Sequence, residues 1–152
     1  MQTVEEKIKR FIRYYEFMLG CHDPVRIAKF LGIGVAIVPL GAIAGNYKLI
    51  KRKRWIFINE DLEVGSPMFN VAAAHELGHA LLHRTVNCAF MKHYTMLITS
   101  GVEREANQFA ANLLISDDMV KEYAGLTVNQ FCDCTGYPPE LIELRLKEFK
   151  AK

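Results

Sequence analysis

At 152 residues, the chain is long enough to bury a substantial core in one domain, read here as spanning residues 1–152. Its 51% hydrophobic and 24% charged residues are those of an ordinary soluble globular protein, not of a disordered one. The net charge of +2 is too small to argue by itself for nucleic acid as a partner.

Met1 to Lys7 is charged and lacks an apolar signal core, which points to a cytoplasmic protein. The longest apolar run, Leu31 to Ala44, is broken by Gly32, Gly34, Pro39 and Gly41 and is too short to span a bilayer, so no membrane partner is expected. Cysteines at 21, 88, 132 and 134 show no C-x-x-C spacing and read as free thiols; a second metal at Cys132 and Cys134 is the weaker alternative.

Val4, Ile8, Phe11, Ile12, Tyr15, Met18 and Leu19 recur at helical spacing and predict a helix over 4–19. It either packs on the domain or binds a partner. A short helix follows, capped by Asp23, opened by Pro24 and ended at Gly32. Gly34–Leu40, Asn46–Ile50 and Trp55–Asn59 read as three short strands of a small sheet. Lys51-Arg52-Lys53 marks a hairpin tip, basic together with Lys48 and Arg54. A solvated turn is the plain reading, and a site for phosphate or an acidic partner the sharper one. If Trp55–Asn59 lies at a sheet edge, its backbone could align an extended substrate.

Ser66 and Pro67 are an N-cap and a first helical residue. The helix they open carries A-A-H-E-L-G-H, Ala73 to His79. His75 and His79 are four apart, hence on one helix face, one turn above the other. Two neutral imidazoles so placed can hold one zinc ion, with Glu76 beside it. Zinc lowers the pKa of a bound water to about 7, and a neighbouring carboxylate can take its proton. A solvated helix could carry the same letters by chance. Leu77, Leu81 and Leu82 argue instead for a buried helix, where these polar groups need partners.

A catalytic zinc needs a third protein ligand. His83 lies eight residues after His75, roughly 12 Å along a helix and too far for one ion. The longer H-E-x-x-H-x-x-G-x-x-H pattern is excluded by Leu82 and Thr85. The next helix has Ala106, Phe109, Ala110, Leu113 and Leu114 as its apolar face. Glu103 lies roughly 50° from the centre of that face and Glu105 roughly 110° away. Glu103 is therefore the better ligand candidate, and Glu105 is expected to look toward solvent. Asn107, one turn on from Glu103, could orient a ligand histidine. The alternative for Glu103 is a surface carboxylate favoured by the helix dipole. Arg84 to Gly101, between the two helices, is a long connection with His93 and Tyr94. Either could polarise a scissile carbonyl, or play a plain surface role.

The last third reads as helical, with a start at Asp117 or Asp118 and an end at Gly125. A capping box joins Thr127 to Gln130, and a last helix runs from Pro138 to Phe149. The turn at Gly136 suggests a DNA-reading helix-turn-helix, but Glu140, Glu143 and Glu148 favour packing or partner recognition over direct nucleic-acid binding.

H-E-L-G-H-A-L-L-H, followed by E-R-E-A-N-Q-F-A-A-N-L-L-I, resembles the ImmA/IrrE family of zinc metallopeptidases. D-P-V-R-I-A-K-F-L-G-I, W-I-F-I-N-E and L-T-V-N-Q-F with P-P-E-L-I-E-L-R-L extend the resemblance over roughly Asp23 to Phe149. It implies His75, His79 and Glu103 as ligands of Zn2+, and Glu76 as catalytic base. One departure is Ser116, where the family usually has proline. The expectation is an α+β fold, with a small three-stranded sheet, a zincin-like helical core and a helical C-terminal part. The implied function is that of a phage or integrative-element anti-repressor. Such a protease hydrolyses a peptide bond in a helix-turn-helix repressor and so derepresses transcription. The alternative is a non-catalytic zinc-containing regulator that binds a repressor or DNA in a stress or DNA-damage response.

Overall fold

The computed structural model describes residues 1–85, the backbone of 88–91, and 101–151. Helix α1 (Val4–Leu19) opens on a capping box between Thr3 and Glu6 and closes at Gly20, φ 64°. Asp23 accepts from the backbone N–H groups of Val25 and Arg26 to start α2 (Pro24–Phe30). Strands β1 (Gly34–Val38), β2 (Ile43–Ile50) and β3 (Lys53–Asn59) lead to α3 (Pro67–Leu82). Pro39 ends β1 earlier than the apolar run suggests, because proline has no N–H for a ladder.

The three expected strands are joined by a fourth, β4 (Cys88–Met91), in the order β1-β3-β2-β4. β1 runs parallel to β3, while β2 is antiparallel to both β3 and β4. Trp55–Asn59 therefore lies inside the sheet, not at its edge, and its backbone is not available to a substrate. The reason is visible in its side chains. Ile56 and Ile58 are buried on one face, and Trp55 and Phe57 are half-buried on the other. A strand apolar on both sides suits an interior position. Among the described residues, β1 and β4 are the edge strands.

Helix α4 (Gly101–Leu114) packs on α3, and α2 and α3 cover one sheet face. Helices α5 (Asp117–Glu122), α6 (Val128–Thr135) and α7 (Pro139–Lys150) complete the chain. Ser116, in place of proline, caps α5 by accepting from the Met119 N–H. Arg145 of α7 is buried; it donates to the Ile115 carbonyl at 2.7 Å and pairs with Asp117. Asn112 of α4 donates to Glu148 at 2.7 Å. These bonds brace the C-terminal end of α4 against α7. The core runs from Ile8 and Ile27 through Ile56, Leu77 and Phe109 to Phe131 and Leu141.

The β2–β3 hairpin turns on two residues, Lys51 (φ 47°) and Arg52 (φ 68°). Both sit in the left-handed region, which costs a non-glycine residue roughly 1 kcal/mol. Two-residue hairpin turns favour Asn-Gly for this reason. Lys51→Asn with Arg52→Gly is expected to raise unfolding free energy by about 1 kcal/mol. Urea denaturation midpoints will check it.

Candidate metal centre

Helix α3 is buried almost throughout, and His75, Glu76 and His79 each have 0% exposure. One turn separates the two histidines, and their rings stand 4.8 Å apart at 80°. Opposite them, α4 delivers Glu103. Its Oε2 lies 2.9 Å from His75 Nε2 and its Oε1 3.1 Å from His79 Nε2. The two Nε2 atoms are 3.1 Å apart. The close approach of the helices depends on Gly78. A Cβ there would stand 3.1 Å from both Ala106 Cα and Phe109 Cβ.

Asn107 fixes the tautomer of His75. Its Oδ1 lies 2.7 Å from Nδ1, so Nδ1–H donates and Nε2 of the neutral ring presents a lone pair. That lone pair faces His79 Nε2 and a carboxylate. Three such atoms repel one another unless a proton or a cation is shared among them. All three lie within 4.8 Å of one another. Bonds of about 2 Å in a tetrahedral site require ligand atoms about 3.3 Å apart. The donor set, two imidazoles and one carboxylate, fits a divalent metal on chemistry and on spacing.

The electrostatics follow from burial and from these pairs. Burial alone would raise the Glu103 pKa, but wherever a proton is shared with His75 and His79, their hydrogen bonds and charge outweigh burial and hold the carboxyl well below the usual range. Burial lowers the pKa of His79, and Glu103 opposes this. Glu76 is pushed well above the ordinary carboxylate range, first by burial and then by the charge on Glu103. Neither Glu76 oxygen has a hydrogen-bond partner among the described residues.

Gly45 of β2 makes room for Glu76: a Cβ there would lie 3.1 Å from Glu76 Cγ. Sequence reading missed it, because β2 was expected to begin at Asn46. The signal was a glycine beside a strand pattern, which marks a close approach. Two further supports of α3 were also unread. Arg54 Nη1 donates to the Ala80 carbonyl at 3.1 Å, and the Tyr47 hydroxyl to that of Arg84 at 2.5 Å.

His83 stands apart from the cluster, at the C-cap of α3, with Nε2 3.8 Å from Glu105. Glu105 is not turned fully to solvent; its side chain is half-buried against His83. His93 and Tyr94 lie outside the described residues. Cys21, Cys132 and Cys134 are free thiols. Among the described residues, His75, His79 and Glu103 are the group with metal-ligand geometry, and neither Cys132 nor Cys134 joins one.

A peptidase family model, described as the IrrE N-terminal-like domain, matches residues 28–130. The chain belongs to the ImmA/IrrE family. The matched span contains α3 and α4, and with them the whole cluster. This member is 34% identical over 153 residues to "Uncharacterized immunity region protein 2" of Bacillus phage phi105, covering 97% of this chain and 92% of that one. It is also 34% identical over 67 residues to "Metallopeptidase ImmA" of Bacillus subtilis (strain 168). That second match covers 44% of this chain and 37% of the relative. Among the described residues, no helix of this ImmA/IrrE member is long and apolar enough to cross a membrane.

Gly78→Val should force α3 and α4 apart and lower stability by about 1–3 kcal/mol. Chemical denaturation of the variant beside wild type measures this.

Proposed function

We propose that this protein is a zinc-dependent, site-specific protease of the cytoplasm. Its substrate is a helix-turn-helix repressor of a phage or mobile element, and cleavage derepresses transcription. The observation that carries the reading is the meeting of His75, His79 and Glu103 with the unpartnered carboxylate of Glu76 on the next residue to His75. A structural metal site would gain nothing from a buried carboxylate held beside it at the cost of its solvation. The family match and the name of the Bacillus subtilis relative support a metallopeptidase, and the name of the phage relative supports a role in immunity.

In this reading His75, His79 and Glu103 hold the metal, and Asn107 keeps His75 in the ligating tautomer. Bound zinc would supply Lewis acidity, lowering the pKa of a water to about 7 and polarising the scissile carbonyl. Glu76 takes one proton from the attacking water and gives it to the leaving amine nitrogen as the C–N bond breaks. Gly45 keeps the space beside Glu76 open. An extended substrate would pair with the outer backbone of the edge strand β4, which is bonded to β2 next to α3.

Glu76→Gln keeps the shape and removes the base. With zinc content unchanged, repressor cleavage should fall by about 10²–10⁴-fold. Undiminished cleavage or derepression in that variant would favour a non-catalytic zinc-containing regulator instead. Removing the second contact of His75 should act on the metal itself. Asn107→Ala is expected to weaken zinc binding by about 10–100-fold in competition with a chromophoric chelator.

A further inference from the structure

The protease reading uses only the sheet face that meets the helices. Tyr47, Ile56 and Ile58 are buried toward that side. Strand alternation sends Lys48, Lys53, Trp55 and Phe57 to the other face. There the register sets Lys48 opposite Trp55 and Asn46 opposite Phe57. The two rings stack, with centroids 6.0 Å apart and planes within 15°. Trp55 lies flat over the backbone of Gly34 in β1, where any Cβ would collide with the ring. Gly34 thus lowers the floor of the sheet so that the indole can lie across it.

Charge surrounds this pair of rings. Lys48, Lys51, Arg52 and Lys53 are all exposed, and none forms a salt bridge among the described residues. No aspartate or glutamate occurs on β1, β2 or β3. Lys53 Nζ sits 4.5 Å from the Trp55 ring centroid. The net charge of +2 hides this concentration, because the acidic residues lie elsewhere. The hairpin tip adds a second, independent observation. Lys51 and Arg52 occupy left-handed positions that Asn-Gly would fill without strain. A strained backbone that carries two cations indicates that charge at the tip is used.

We propose that this outer sheet face binds single-stranded nucleic acid. Bases stack on Trp55 and Phe57, and phosphates meet Lys48, Lys53 and the Lys51-Arg52 tip. Lysines alone would serve any acidic partner. The flat aromatic pair decides the class, because every unpaired base offers a π-face to stack on it, whereas carboxylates gain nothing from the electron-rich faces of the rings. A duplex keeps its bases stacked on one another and unavailable to the rings. The site lies on the face opposite α3, so it does not depend on the protease reading.

Trp55 is the chain's single tryptophan, so its emission reports on the site. Titration with a short oligothymidylate at low salt should quench it saturably, and affinity should fall as salt is raised. Fluorescence anisotropy of a labelled oligothymidylate should show Lys48→Ala with Lys53→Ala binding at least about tenfold more weakly, and Trp55→Ala likewise. Zinc content and circular dichroism of both variants should match wild type. Absence of saturable quenching, or wild-type affinity in the lysine variant, overturns the proposal. So does a poly-glutamate peptide binding as tightly as the oligonucleotide while Trp55→Ala is without effect; that outcome assigns the face to an acidic protein partner.

Discussion

Lone pairs that would separate in water are pressed together between α3 and α4, and the rest of the fold keeps them there. His75 and His79 come from one helix and owe their mutual position to helical geometry alone. Glu103 comes from another, and its approach depends on how closely two backbones can meet. Gly78 sets that distance, with Ala106 and Phe109 against the bare Cα. Burial of these polar groups opposes the arrangement unless a shared proton or a cation answers it, and the packing around them holds the two helices in place. Leu77, Phe109, Ala110 and Leu113, all buried, supply that packing.

Support arrives from both sides. The sheet holds α3 through the Arg54 bond to Ala80 and through the Gly45 surface that accepts Glu76. The C-terminal helices hold α4 through Arg145 and through the Asn112–Glu148 bond. A buried guanidinium is costly unless its donors are used; here Nε and Nη2 tie the carbonyl at Ile115 and the carboxylate of Asp117 to α7, while Nη1 has no hydrogen-bond partner among the described residues. The candidate metal centre thus rests between two scaffolds of different chemistry, a backbone-bonded sheet and a set of side-chain braces.

What could be read in the sequence was what depends on local spacing. The caps at Asp23, Ser66 and Thr127 involve neighbours two or three residues away, and each stands where the letters place it. The orientation of Glu103 toward the histidines followed from helical periodicity. Strand order did not follow, because nothing within β3 states which strands flank it. Trp55–Asn59 could align a substrate only from a sheet edge, and the parallel pairing of β1 with β3 puts it inside the sheet. For a related reason, Gly45 and Gly34 signal a close approach without naming what approaches. A glycine's role here is to yield space to Glu76 or Trp55, and the partner is distant in the chain. Net charge likewise averaged away a basic hairpin.

The same strand order imposes a sequence of events on the growing chain. β1 leaves the ribosome before β2, yet its hydrogen-bonding partner is β3, made last of the three. The β2–β3 hairpin closes through a two-residue turn and can form on a microsecond scale once synthesised. Until then β1 has no ladder, and Val35, Ala36 and Ile37 wait on an open strand at a synthesis rate of about 5–20 residues per second. A strand without its partner offers its backbone to another chain, so the interval between the emergence of Val38 and that of Asn59 from the ribosome exposes nascent copies to association with one another.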